Sequence, residues 1–163
     1  MKIVCNASVL IGLSSIGKLS LLRERFPQGI LIPEAVRREV IDEGEGRPGA
    51  SEISESEWIK IHKVEDKRIV ELLLGELDKG EAEAIALARE MGAGIILLDE
   101  RDARRAAKRM KLKVLGTVGM LIWAKKVGKL QSLKKELNDL RHHGRFRIGQ
   151  AIYERALREV GEL

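Results

Sequence analysis

With 163 residues, 44% of them hydrophobic, the chain can bury a substantial core, and its size points to one domain. No apolar run nears the roughly 18 residues of a membrane span, and the start Met1-Lys2-Ile3-Val4-Cys5 is interrupted too soon for a signal peptide, so a cytoplasmic protein is expected. A formal charge of +5 suits attraction to nucleic acid or another polyanion, and equally a solvated surface; the 34% charged content, above the ~25% of an average domain, also fits a thermophile's ion-paired surface.

In chain order, Lys2 to Cys5 reads as a buried strand with Cys5 as a small hydrophobe, followed by helical stretches from Ala7 to Ile16 and Leu19 to Phe26 that Gly17 separates. Gly29 to Ile32 is a second strand, and Pro33 opens a helix through Ile41. Gly44 to Pro48 breaks the pattern, and a polar stretch follows. Trp58 to Val64 alternates weakly as a strand, Arg68 to Leu77 is helical, and Lys79 to Met91 is an alanine-rich helix ended by Gly92. Ile95 to Leu98 reads as a fully buried strand, Glu100 to Met110 as a helix, and Lys113 to Leu115 as a last strand. Helices over Val118–Val127, Leu133–Leu140 and Gln150–Val160 complete the chain. Short apolar strands alternating with helices imply a parallel sheet.

Ligands of such sheets bind beyond the carboxyl ends of the strands, which singles out Asn6 and Asp99. Both residue types are also good helix N-caps, so capping and chemistry stand side by side. In the helix after Pro33, Glu39 falls on the apolar stripe of Ala35, Val36 and Val40; in the alanine-rich helix, Glu81 aligns with Ile85 and Ala88 while Glu83 faces elsewhere. Carboxylates on apolar faces cost several kcal/mol unless compensated. Two compensations are open: a hard cation such as Mg2+ or Mn2+ in a shared acidic pocket, or ion pairs with Arg104 or Arg105.

The succession Ile3-Val4-Cys5-Asn6-Ala7-Ser8-Val9-Leu10-Ile11, then Ile32-Pro33-Glu34-Ala35-Val36-Arg37-Arg38-Glu39-Val40, resembles the opening of a PIN domain. Leu77-Asp78-Lys79-Gly80-Glu81-Ala82-Glu83-Ala84-Ile85-Ala86-Leu87-Ala88, Ile96-Leu97-Leu98-Asp99-Glu100-Arg101 and Leu115-Gly116-Thr117-Val118-Gly119 are similar to its later motifs. The resemblance covers essentially the whole chain and suggests a prokaryotic branch of the family. It implies a three-layer α/β/α fold around a mainly parallel sheet, here a PIN-like domain over 1–128 with a helical C-terminal extension over 129–163 packed on it. It further implies a metal-dependent endoribonuclease using Mg2+ or Mn2+, frequently the VapC-type toxin of a toxin–antitoxin pair, with RNA and an antitoxin protein as partners and a homodimer or higher oligomer as its assembly.

Carried over by position, the family's acidic cluster falls on Asn6, Glu39, Glu81 and Asp99, with Ser8 and Asp102 as auxiliaries. The first member is normally aspartate. Asn6 keeps an oxygen ligand but loses a charge, which weakens metal affinity and leaves a second reading, a catalytically silent module that binds nucleic acid or protein. Asp102 is equally a first-turn acidic residue suited to the helix dipole.

Arg101, Arg104, Arg105 and Lys108 follow Asp99 on one helix and are the candidate nucleic-acid contacts, against a plain solvated face. Lys125, Lys126, Lys129, Lys134, Lys135, Arg141, Arg145 and Arg147 carry the basic character into the tail, where RNA and a protein partner are both open. Gly12-Leu13-Ser14-Ser15-Ile16-Gly17-Lys18-Leu19 falls short of a P-loop, since its last residue is neither Ser nor Thr and it follows a helix. His62, His142 and His143 have no zinc-type spacing, and Ser14, Ser15 and Ser51 no catalytic histidine.

Overall fold

A computed structural model of the chain describes residues 1–47, 49–144 and 146–163; Pro48 and Arg145 lie outside the described residues. Five short strands form the sheet: β1 (Ile3–Cys5), β2 (Ile30–Ile32), β3 (Ile59–Ile61), β4 (Ile95–Leu97) and β5 (Val114–Leu115). They run parallel throughout in the order β3-β2-β1-β4-β5. The chain steps outward from β1 to β2 and β3, then returns to the other side of β1 for β4 and β5. The order therefore reverses between β1 and β4, and the crevice at their carboxyl ends is where such sheets bind ligands.

Apolar strands of this kind are buried on both faces, and their side chains sort by period two. Ile3, Cys5 and Leu97 join one core cluster, whereas Val4, Ile96 and Leu98 join the other. The first cluster packs α1 (Ala7–Ser15), α2 (Ser20–Arg25), α8 (Thr117–Lys126), α9 (Leu133–His143) and α10 (Gln150–Glu159) on one face of the sheet. The second packs α5 (Lys67–Leu73), α6 (Lys79–Met91) and α7 (Arg101–Arg109) on the other. The result is the expected α/β/α arrangement. Leu133, Leu137, Leu140 and Leu157 of the C-terminal helices share the cluster that holds Leu10 and Leu13 of α1.

Two elements differ from the sequence reading. Residues Ala50–Glu55, read as part of a polar stretch, form the short helix α4, anchored by Ile53 alone, so no apolar periodicity announces it. The helix after Pro33 is regular only over Glu34–Arg37 (α3) and then widens into one π turn, Arg38–Asp42. There Glu43 N–H reaches back to the carbonyl of Arg38 at 2.8 Å, five residues away. Glu39 sits on that turn.

Candidate active site

Register sets the crevice. Cys5 pairs with Leu97 across β1 and β4, and Asn6 N–H continues the ladder by donating to the Leu97 carbonyl at 3.0 Å. Asn6 on one strand end and Asp99 on the other therefore flank the same opening. Neither caps the helix that follows it with its side chain. Asn6 holds the N-cap place of α1 but makes no side-chain cap, and the cap of α7 is Glu100, which accepts from Asp102 N–H at 2.7 Å and Ala103 N–H at 3.1 Å. Asn6 and Asp99 thus do not serve as side-chain caps of α1 and α7.

Asn6 is 5% exposed, and its Oδ1 has no hydrogen-bond partner among the described residues. A buried carbonyl oxygen left unpaired costs about 1–3 kcal/mol, so a water, a cation or a polar ligand group at this place would be stabilising. What surrounds it is acidic. A methyl group on Gly80 would stand 3.1 Å from Glu39 Oε1, 3.5 Å from Asn6 Oδ1 and 3.6 Å from Asp78 Oδ1. The bare α carbon of Gly80 thus lines a small space that three oxygens from β1, the π turn and the start of α6 share.

Asp78 and Glu81 form the reciprocal capping box of α6: Glu81 N–H donates to Asp78 Oδ1 at 2.8 Å, and Asp78 N–H donates to Glu81 Oε1 at 3.2 Å. The box places the Asp78 carboxylate beside the space over Gly80 and ties the Glu81 carboxylate to the Asp78 backbone. Burial, opposed by the Asp78 N–H bond and reinforced by the charges of Asp78, Glu100 and Glu39, pushes the Glu81 carboxyl up to about 7. Glu39 is raised from its ordinary value by burial, then by Asp78 and Glu43. The stripe reading has Glu39 face inward; on the π turn the residue is exposed, and its carboxylate end reaches the space over Gly80.

The Asp99 side is built differently. Its Oδ1 accepts from Thr117 N–H at 2.7 Å and its Oδ2 from the Thr117 hydroxyl at 2.8 Å. Thr117 is fully buried at the start of α8, after the β5 end. Arg104 donates to the Leu98 carbonyl at 3.1 Å and folds over Gly116, whose missing side chain makes the room: a methyl there would lie 2.6 Å from Arg104 Nη1 and 3.0 Å from Asp99 Oδ1. Burial raises the Asp99 carboxyl, while the Thr117 bonds, the neighbouring Ser8 hydroxyl and the Arg104 charge oppose it. Ser8 lies close enough to favour the anion, but its Oγ makes no hydrogen bond of normal geometry.

The contacts fall into two groups. Asn6, Glu39 and Asp78 meet over Gly80, with Glu81 bonded to Asp78, and Ser8, Thr117 and Arg104 surround Asp99. Among the described residues, no three histidine, cysteine, aspartate or glutamate side chains converge closely enough to hold a metal ion by themselves. The donors nevertheless fit a hard cation. They are all oxygens, one is buried without a partner, and a glycine keeps the space between them clear. Asp102 is exposed on the first turn of α7, and among the described residues no hydrogen bond or ion pair ties its carboxylate to the crevice.

Arg101, Arg104, Arg105 and Lys108 line an open groove of about 1070 Å³ that has Asp99 in its wall. Asp78, Gly80 and Thr117 were not singled out in the sequence. The Asp78-x-x-Glu81 spacing was a readable capping-box signal, but Thr117 carries none, because its partner lies 18 residues away in another strand loop.

An all-parallel sheet in this order, with an acidic and amide crevice at its switch point, defines an α/β protein with a candidate ligand site at that crevice. Over residues 2–162 the chain matches the family model DUF3368, described as a PIN domain, and it belongs to that family. No curated protein and no solved structure matches it significantly. No helix of the described residues is long and apolar enough to cross a membrane.

Proposed function

We propose that the chain is a metal-dependent endoribonuclease of PIN type, with Asn6, Glu39, Glu81 and Asp99 as its working residues and Asp78 added to them. The observation that carries the reading is the unpartnered, buried Asn6 Oδ1 turned toward Glu39 and Asp78 over Gly80 at the sheet's switch point. Mg2+ or Mn2+ held by these oxygens would orient a water and neutralise charge at a phosphodiester undergoing in-line attack. Glu39, Asp78 and Glu81 supply negative charge on one side of the opening. Their mutual repulsion is what a cation relieves, since burial and like charge both hold the Glu39 and Glu81 carboxyls toward the neutral form.

Asp99 faces them as a rigid acceptor. Two bonds from Thr117 leave it no freedom to swing, and Arg104, pinned to the Leu98 carbonyl, offers a fixed positive charge beside it for a phosphate. Arg101, Arg105 and Lys108 continue that charge along α7. The toxin role implied by the family likeness belongs to the same reading: expression without an antitoxin should arrest growth, and Asp99→Asn should relieve the arrest.

A second reading has its own observation. Asn6 gives the crevice one charge fewer than an aspartate would, and the carboxylates do not converge unaided, as suits a silent nucleic-acid-binding relative. Cleavage of a mixed RNA pool by the purified protein in Mn2+ and in EDTA, beside Asp99→Asn, separates the two. Metal-dependent cutting lost in Asp99→Asn supports the enzyme; RNA binding without cutting at millimolar metal supports the silent module.

A further inference from the structure

The basic tail noted in the sequence is largely spent on the fold. Lys125 and Lys126 pair with Glu162 and Glu159, Lys129 with Glu24, and Lys135 with Asp139. Arg141 stacks on Tyr153 with its guanidinium 4.1 Å from the ring centre and donates to the Ile148 carbonyl at 2.8 Å. Two tail arginines are different. Arg147 and Arg155 are exposed, neither has an ion-pair partner among the described residues, and both line the groove that leads to Asp99. Arg155 was not among the cations singled out in the sequence.

The groove has a consistent chemistry across its width. One wall is α7, contributing Arg101, Arg105 and Lys108; the other is α10 and the segment before it, contributing Arg147 and Arg155. Its floor is apolar, formed by Val118 and Ile122 of α8 with Phe146, Ile148 and Ile152, the last 52% exposed. Asp99 and Glu159 are the acidic residues of the lining. Cationic walls over an apolar floor suit a strand that presents phosphates at its edges and base faces between them.

We infer that the C-terminal segment over 146–155 is a substrate-binding element of this protein, closing with α7 a two-walled groove that seats an RNA strand and leads it to Asp99. The inference rests on the ribonuclease reading only in taking RNA as the occupant. An acidic polypeptide is the alternative occupant. RNA is favoured because the cations stand on both walls of a groove with Asp99 in its lining, and because apolar floor residues lie between those walls where base faces can rest.

The test is fluorescence anisotropy of a labelled single-stranded RNA of mixed sequence, in EDTA so that nothing is cut, with the full chain. The double variant Arg147→Glu/Arg155→Glu is compared with a control of equal charge, Arg23→Glu/Arg68→Glu, at exposed cations outside the groove. The tail variant should bind at least tenfold more weakly than the control. The slope of log affinity against log salt should also fall by about 1.4, two phosphate contacts at roughly 0.7 each for a single strand. That result supports the groove even if metal-supplemented protein fails to cut RNA, in which case the ribonuclease reading alone falls. Equal binding by tail and control variants overturns the inference, whether or not the wild type is a nuclease. Binding of polyglutamate in place of RNA, lost in the tail variant, overturns it in favour of a protein partner.

Discussion

The two sides of the crevice carry similar residues, with burial raising the carboxyls of Glu39, Glu81 and Asp99 alike, but in different states of hydrogen bonding. Around Gly80, an amide and two carboxylates meet with an unpaired buried oxygen among them, and the carboxyl of the adjoining Glu81 is pushed up to about 7. Across the opening, Asp99 has its oxygens bonded by Thr117 and an arginine close by. The difference separates two duties that a sequence motif merges. One side keeps a buried oxygen without a protein partner beside carboxylates, and the other has its carboxylate bonded on folding.

The comparison breaks most severely at Asp99. Asp99→Ala leaves the fully buried Thr117 N–H and hydroxyl without an acceptor, so chemical denaturation should show a loss of about 2–4 kcal/mol along with loss of cleavage. A fully stable Asp99→Ala protein would mean that Thr117 does not depend on it.

Gly80→Ala should act with opposite signs on fold and ligand. Alanine favours a helix by up to about 1 kcal/mol over glycine, and the flexible end of Glu39 can move aside from the new methyl. The methyl fills the space among Glu39, Asn6 and Asp78, so calorimetry should find Mn2+ bound roughly tenfold more weakly, within the ~10–100-fold range of changes that disturb a metal's surroundings. Weaker folding with unchanged Mn2+ affinity would make Gly80 a packing residue only.

Glu81→Gln sharpens the same contrast through pH. An acid whose folded value is raised binds more protons folded than unfolded, so between its ordinary 4.5 and about 7 stability falls as pH rises. The glutamine keeps an oxygen for the Asp78 N–H and removes the charge. Its melting temperature at pH 8 should exceed that of the wild type, and the gap should close toward pH 4.5; a pH-independent gap would mean that packing rather than charge is responsible.

The smallest expected effect lies outside the crevice. Glu162 accepts from Leu133 N–H at 2.6 Å and Lys134 N–H at 3.0 Å, fastening the end of the chain to the start of α9. Burial raises its carboxyl, but these bonds, Lys125 and Ser132 together hold it below its ordinary value. Its contribution is therefore complete above pH 4.5 and lost as acid titrates it through the lowered value. Glu162→Ala should cost about 1 kcal/mol at neutral pH, as for lost helix caps, and nothing in strong acid.

β1, β2 and β4 were legible because burial makes them continuous apolar runs, the long helices because their buried residues recur at helical spacing, and Asn6 and Asp99 because strand ends at a switch point are positions rather than patterns. The helix α4 was not, since one buried isoleucine leaves no period to read. Nor was the π turn at Glu39, whose cause is tertiary, or the Thr117 bonds to Asp99, which join two loops 18 residues apart. Individual charges in the tail were equally opaque. Lys125 and Arg147 look alike in sequence, and only the fold pairs the one and leaves the other lining the groove.

The most direct test of the account is a calorimetric Mn2+ titration of the wild type beside Asn6→Asp and Asn6→Leu. If the orphaned Asn6 oxygen belongs to a cation seat, the wild type binds, the aspartate binds at least tenfold more tightly, and the leucine does not bind. Three superimposable isotherms, or none with any heat of binding, would contradict it.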